Sequence, residues 1–219
     1  MATREKAVPI DQEILERLNR GILLRTGAYR TDDHIVLRSG RHTSEYVAKA
    51  LVTTEPTFTE GLGDIIAAHF SRYQVDLVLT TGYGAGLLGH CVARAHLSRP
   101  RFIFATKGKT AGGRTEVILQ PEYRKFFAEG GRVLIVEDIV TTGETVKQLI
   151  KLVEGMGGQV VGIGAIWRRS TRVKFKYPLF TVVTRDFPTY APSECPLCRQ
   201  GIPINPDFGG VGSEGESEE

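Results

Sequence analysis

Glu137 and Asp138 stand side by side behind an apolar run, Val133 to Val136, and are followed by Ile139, Val140 and the turn Thr141, Thr142, Gly143, Glu144, Thr145. A small, hydroxyl-rich turn that opens a helix presents successive backbone N–H groups. With the helix dipole behind them, these form a cradle for a phosphate. The pattern is not of the Walker type, because no lysine follows the glycine. Two acids beside a bound phosphate would repel it unless they face something else. Ionised carboxylates only accept hydrogen bonds, so the vicinal hydroxyls of a sugar suit them. A divalent cation held through those hydroxyls would also be attracted. Phosphate on one side and a diol on the other describe a ribose 5-phosphate. A Glu-Asp pair taken alone reads as a solvated surface feature with a threonine-rich helix cap behind it. The apolar strand running straight into the acids favours the site.

The elements that must position these residues follow from periodicity. Residues 11–24 carry Ile14, Leu15, Leu18, Ile22 and Leu23 at helical spacing. "HIVLRSGRHTSEYV" reads as a short strand broken at Ser39-Gly40. "FTEGLGDIIAAHFSRY" reads as a helix, "VDLVLTTGYGAG" as a strand running into a glycine turn, and "LLGHCVARAHL" as the next helix. "PRFIFAT" is a strand followed by the polar stretch "KGKTAGGRTEV". "RVLIVEDI" is the strand that carries the acids, and "GETVKQLIKLVEGMG" is its helix, ending on a glycine suited to a C-cap. "QVVGIGAIWRR" and "PLFTVVTRDF" are further apolar strands. This order of strand, turn and helix predicts an α/β fold with right-handed crossovers and a mostly parallel sheet covered by helices. In such a sheet ligands bind beyond the carboxyl ends of the strands.

Bulk composition sets the class. The chain has 219 residues, 41% hydrophobic and 24% charged, and no Pro/Gly linker divides it, which predicts one domain over residues 1–206. Residues 207–219 are acidic and Gly/Ser-rich and read as a disordered tail. A net charge of +3 suits an anionic substrate without implying nucleic acid. Three cysteines argue against a disulfide framework and fit a reducing cytosol. With no signal peptide and no long apolar run, a cytoplasmic protein is expected.

The thirteen residues from Val133 to Thr145 resemble the 5-phosphoribosyl-1-diphosphate (PRPP) motif of the type I phosphoribosyltransferases: apolar strand, two acids, two apolar residues, then Thr-Thr-Gly-x-Thr. "VLRSGRHTSEYV" is similar to the N-terminal signature of the orotate phosphoribosyltransferases, and the order of elements over about residues 11–205 follows that family. The resemblance implies the type I phosphoribosyltransferase fold with an N-terminal hood. It implies PRPP and orotate as substrates, Mg2+ carried with PRPP near Glu137 and Asp138, no nucleic acid or membrane, and a homodimer with shared active sites.

It also assigns residues. Glu137 and Asp138 would meet the ribose hydroxyls, and Ile139, Val140, Thr141, Thr142, Gly143, Glu144 and Thr145 would form the 5-phosphate segment. Arg38 would meet PRPP, and Tyr46 and Val47 would lie against the base with Thr141 and Arg169. A guanidinium such as that of Arg169 is a planar two-pronged donor for the oxygens of a pyrimidine carboxylate. Arg168 takes that place if the register shifts by one. "TTGYGAG", with Tyr83 and Gly84, occupies the place of the pyrophosphate loop, but Gly84 stands where many orotate enzymes carry a lysine. "TKGKTAGGRTEV" corresponds to the mobile catalytic loop. Transfer through an oxocarbenium-like carbon as diphosphate leaves asks for cations and a lid. Lys107, Lys109 and Arg114 are the cations on offer, with Lys107, Lys109 and Asp138 as the catalytic residues; Thr106-Lys107 replaces the usual Arg-Lys pair.

Other readings stay open. A purine or other nucleobase phosphoribosyltransferase of the same fold fits the departures at Gly84 and Thr106. A PRPP-binding regulator would need a basic face, for which only "WRRSTRVKFK" offers itself. Cys195 and Cys198 in "CPLC" supply two of the roughly four ligands a zinc site needs, with no histidine nearby in sequence, so a structural turn is expected. Cys91, His69 and His90 read as packing or surface residues of helices.

Overall fold

The computed structural model describes Gly21 and residues 25–37, 39–109, 115–128 and 130–209. The helix expected over residues 11–24 falls outside that set except for Gly21, as do Arg38, residues 110–114 and most of the acidic tail.

Six strands form the central sheet: β5 (Leu77–Thr81), β6 (Arg101–Lys109), β7 (Thr115–Ile118), β8 (Arg132–Val140), β9 (Gln159–Arg168) and β10 (Leu179–Thr184), in the order β10-β9-β8-β5-β6-β7. All neighbours run parallel except the β6/β7 pair. The order turns between β5 and β8: the chain builds outward from β5 on one side and restarts against it with β8 on the other. That is the topological switch point where open α/β sheets take their ligands.

Alternation along the strands divides the core into two layers. Val78, Leu134 and Val136 pack with Leu62, Ile66 and Phe70 of α2 (Pro56–His69) and with Leu88 and Val92 of α3 (Tyr83–Ala95). Leu77, Leu79, Val133 and Ile135 pack on the opposite face with Leu149 and Val153 of α4 (Glu144–Gly155). The near-continuous burial of β8 is what a central parallel strand covered on both faces requires. No helix among the described residues is long and apolar enough to cross a membrane.

The N-terminal part forms small sheets beside this core. β1 (Tyr29–Arg30) pairs antiparallel with β4 (Tyr46–Val47), and β2 (Ile35–Val36) with β3 (His42–Thr43). A one-turn helix α1 (Lys49–Val52) follows them, and the one-turn helix α5 (Pro196–Arg199) closes the C-terminal segment.

Three sequence expectations change. The strand expected over "HIVLRSGRHTSEYV" is three two-residue strands, because its turns at Ser39-Gly40 and Ser44-Glu45 come too often for a longer ladder. Tyr83 and Gly84, expected in a loop, lie in the first turn of α3; Gly82, at φ 85°, already makes the turn. The described residues of the polar stretch after "PRFIFAT" are strand: β6 runs on to Lys109 and pairs with β7, Lys107 opposite Val117 and Lys109 opposite Thr115.

Candidate active site at the sheet switch point

The last residues of β8 carry the acids into the interior. Glu137 is 7% exposed and Asp138 4%. This burial differs from a carboxylate pair standing at the strand mouth, and it removes the reading of the pair as a solvated surface feature. Alternation sends Asp138 to the α2/α3 side with Leu134 and Val136, while Glu137 starts from the α4 side with Val133 and Ile135. Glu137 folds back so that its Oε1 accepts the Asp138 backbone N–H at 3.0 Å, and Asp138 Oδ1 accepts the Ile139 N–H at 2.6 Å.

Asp138 has a cation partner that sequence reasoning missed. Lys49 Nζ sits 3.0 Å from Asp138 Oδ2 and 3.3 Å from Oδ1. Burial pulls the Lys49 ammonium down, but attraction to and hydrogen bonding with Asp138, helped by Glu137, outweigh it and leave its pKa raised. Glu137 moves further. Burial, the neighbouring Asp138 charge and a hydrogen bond between the two acids push its carboxyl up to about 8. That shift favours a protonated Glu137 at neutral pH. The only sequence hint to Lys49 was its place three residues after Tyr46; the distance from there to position 138 gave no reason to join them.

Behind the acids the chain makes the cradle. Thr141 and Thr142 are exposed, and Gly143 takes φ 75° as the N-cap of α4. The Glu144 N–H donates to Thr142 Oγ1 at 3.4 Å. A side chain at position 143 is excluded twice. Its φ is left-handed, and a Cβ there would stand 2.7 Å from Val173 Cγ1 and 2.8 Å from Phe175 Cζ. Across the switch point, α3 begins at Tyr83, so two helix N-termini face the same end of the sheet. Next to the second one, the buried hydroxyls of Thr80 and Thr81 find no protein partner.

Gly84 closes the gap between the two helix starts. A Cβ on it would lie 2.6 Å from Asp138 Oδ2. A side chain at position 84 would have to displace the Asp138 carboxylate, which occupies the space beside the backbone. The cation beside Asp138 is Lys49.

The residues assigned to the base cluster at the neighbouring strand ends. Arg169 follows β9 and donates its backbone N–H to Val140 O at 3.0 Å. Its guanidinium lies 4.8 Å from the Phe187 ring, where burial lowers its pKa and proximity to Tyr46 opposes the fall. The alternative, Arg168, is turned away: its guanidinium donates to the carbonyls of Ser170, Thr171 and Val173. Val47 is buried and lines a narrow crevice with Lys49, Val52, Asp138, Ile139 and Trp167. The Trp167 indole N–H is buried with no protein partner.

Lys107 and Lys109 are exposed on the β6/β7 hairpin, with β5 standing between their strand and β8. The hairpin extends beyond Thr81↔Ala105, the last pair of the β5 ladder, and so overhangs the ligand end of the sheet. A broader hollow of about 300 Å³ lies along the outer side of α4, lined by Lys147, Lys151, Lys174 and Lys176 with Glu154. Phe175, which packs against Gly143, also lines it, as does the Lys174–Lys176 end of the basic run, but none of the residues assigned to PRPP or the base does. The "CPLC" expectation also changes: Cys195 and Cys198 are not alone, since His34 and His42 stand against them.

Comparison with known proteins agrees with this geometry. A family model described as phosphoribosyl transferase domain matches residues 53–190. The chain is 37% identical over 174 residues to an orotate phosphoribosyltransferase of Caldicellulosiruptor bescii, covering 79% of this chain and 87% of that one. To the orotate phosphoribosyltransferase of Caldanaerobacter subterraneus it is 33% identical over 202 residues, 92% and 95% of the two chains. The crystal structure of the Aeropyrum pernix orotate phosphoribosyltransferase superposes with a TM-score of 0.58 at 20% identity, over 76% of this chain and 93% of that one. The chain therefore belongs to the type I phosphoribosyltransferase family, on its orotate phosphoribosyltransferase branch.

Proposed function

We infer that the protein transfers the 5-phosphoribosyl group of PRPP to orotate, releasing diphosphate and forming orotidine 5-monophosphate in pyrimidine synthesis. The observation that carries this is the buried acid pair running directly into a left-handed glycine cradle at the sheet switch point. The choice of orotate rests on relatives of that name that align with 79% and 92% of the chain.

In this reading Thr141 to Thr145 seat the 5-phosphate on backbone N–H groups at the start of α4, and Glu137 and Asp138 accept from the ribose hydroxyls. The start of α3, with Thr80, Thr81, Tyr83 and Gly84, receives the diphosphate, and Arg38 adds a charge contact. As the C1′–O bond breaks, positive charge grows on C1′ and negative charge on the leaving diphosphate. Lys107 and Lys109 neutralise the latter when the hairpin closes. Asp138, held by Lys49, stays aimed at the sugar. A ring nitrogen of orotate forms the new bond and gives up its proton to the departing diphosphate, with Arg169 on the carboxylate and Tyr46, Val47 and Thr141 against the ring.

The carboxylate oxygens of Glu137 and Asp138, together with sugar hydroxyls, form an all-oxygen donor set that fits a hard cation such as Mg2+. Bound there with PRPP, Mg2+ would neutralise charge on the diphosphate. The family resemblance adds to this reading a homodimer in which one protomer's lysines reach its partner's site.

The test is to mix the protein with PRPP and Mg2+ and to follow diphosphate release with orotate, uracil, adenine, guanine and xanthine in turn. Release with orotate alone is expected. Turnover of a purine and not of orotate would overturn the assignment.

A further inference from the structure

Two histidines and two cysteines that the transfer reaction does not use meet where the β2/β3 hairpin packs on the C-terminal segment. The candidate ligand atoms are His34 Nε2, His42 Nδ1, Cys195 Sγ and Cys198 Sγ, all within 4.8 Å of one another. His34 Nε2 is 2.8 Å from His42 Nδ1, 3.7 Å from Cys195 Sγ and 3.6 Å from Cys198 Sγ, and Cys198 Sγ is 3.3 Å from His42 Nδ1. Zinc bonds of about 2.0–2.1 Å to nitrogen and about 2.3 Å to sulfur make tetrahedral edges of roughly 3.3–3.8 Å between ligand atoms. Three of the four measured edges fall in or close to that range, and the nitrogen–nitrogen edge is shorter. We propose that His34, His42, Cys195 and Cys198 bind one zinc ion, which staples the C-terminal segment to the hood.

The surroundings favour a metal over a chance meeting of polar groups. His34, His42 and Cys195 are buried, at 1%, 6% and 0% exposure. His34 Nδ1 lies 2.6 Å from the Ile202 carbonyl oxygen. A carbonyl only accepts, so the proton sits on Nδ1 and Nε2 turns its lone pair toward the cluster. This is the outer-sphere bond that zinc-ligating histidines make. Cys195 and Cys198 sit at the two ends of one helical turn, with Cys195 as the N-cap of α5, a CxxC spacing that aims both sulfurs at one point. The donor set, two thiolates and two imidazoles with all four positions filled, is that of a structural site and leaves no place for substrate.

The ligands also come from segments already tied together. His42 exchanges both backbone hydrogen bonds with Tyr190, and Asn205 N–H donates to His34 O at 2.7 Å. Thr43 Oγ1 donates to Pro188 O, and Asn205 Nδ2 donates to Asp33 Oδ2. These bonds set the two backbones at fixed distance before any ion arrives. The β2/β3 hairpin so anchored leads directly into Tyr46, whose ring packs against Phe208 of the same C-terminal segment. The site is separate from the acid pair, so the proposal stands whichever base the enzyme takes.

The test uses the untagged full-length chain, purified under reducing conditions and without chelator. Elemental analysis is expected to find about one zinc per chain. Replacement by Co2+ should give thiolate-to-cobalt charge-transfer absorption and the visible bands of a tetrahedral site. Cys198→Ser should abolish both signals and Cys91→Ser should leave them intact. Stripping zinc from the wild-type chain, with Mg2+ restored afterwards, should lower the melting temperature by several degrees and open Arg199 to trypsin. The stripping experiment needs no variant, so misfolding of Cys198→Ser cannot hide the result. A chain that purifies without zinc and shows no cobalt–thiolate absorption with its thiols reduced overturns the proposal. So does a Cys195–Cys198 disulfide in that preparation, or zinc whose removal changes neither melting nor cleavage.

Discussion

Lys49 Nζ and Asp138 Oδ2 lie 3.0 Å apart, joining the first turn after the hood to the end of the central strand. The lysine is 58% exposed at its side chain and the aspartate 6%, so water screens the pair from one side only. Asp138 is thereby held at the ligand end of the sheet by a residue outside the PRPP motif. Lys49→Met should leave Asp138 without its charged donor. A charge-assisted hydrogen bond of about 1.5–3 kcal/mol implies a loss of roughly 10- to 100-fold in kcat/KM for PRPP. Steady-state kinetics at saturating orotate measure it. A change of less than twofold would remove Lys49 from the site.

The raised Glu137 pKa gives a pH dependence with a definite sign. The folded state holds a proton on Glu137 up to about pH 8, whereas a free carboxyl releases it near 4.5. Between these values the native state binds more protons than the unfolded one, so this group's contribution to stability is full below about pH 4.5 and is lost as pH rises toward 8. The slope cannot exceed about 1.4 kcal/mol per pH unit for one proton. Urea midpoints from pH 5 to 8.5 should show the decline, and Glu137→Gln should flatten it. Sugar hydroxyls and cations both prefer the ionised acid, so PRPP affinity should rise over the same window. Calorimetry in buffers of different ionisation enthalpy should register proton release on binding at pH 7.

Two glycines of the site should respond in different ways to alanine. At Gly143 the left-handed φ and the contacts with Val173 and Phe175 both oppose a methyl group. Backbone strain of about 1–3 kcal/mol is expected, lowering the melting temperature together with phosphate binding. Gly84 sits in a helix, where alanine is favoured by about 1 kcal/mol, but its methyl would displace the Asp138 carboxylate. Gly84→Ala should therefore raise KM for PRPP with little loss of stability. Gly61→Ala, also helical and with open space around it, serves as the neutral or stabilising control.

The hairpin lysines act late in the proposed reaction. Lys109→Ala should lower turnover by about 100-fold, the scale of one lost transition-state donor, while PRPP binding changes little. Equal losses in both would count against the assignment. If the lysine serves the neighbouring protomer, mixing Lys109→Ala with Asp138→Asn chains should regenerate some active sites. No recovery after subunit exchange would place hairpin and acids in one chain.

Much of this protein is written locally. The run Val133–Val136 demands burial, the Thr-Thr-Gly turn demands a helix start, and repeated strand–helix order demands a parallel sheet, so the acid pair and its cradle are legible from thirteen consecutive residues. Spacing also led to errors at the edges. The β6/β7 hairpin looked like a loop because Lys107, Gly108 and Lys109 are polar or small, yet edge strands that face water are built from such residues.

What only the tertiary structure decided are pairings between distant positions. Lys49 with Asp138, Gly84 with the same carboxylate, and the two histidines with Cys195 and Cys198 leave no periodic trace, since each depends on how separate elements dock. The proton on Glu137 belongs with them, because a carboxyl's affinity for it is set by the water and charges that folding removes or brings near. Local chemistry is carried along the chain one turn at a time; contacts that close across a sheet exist only once the sheet has formed.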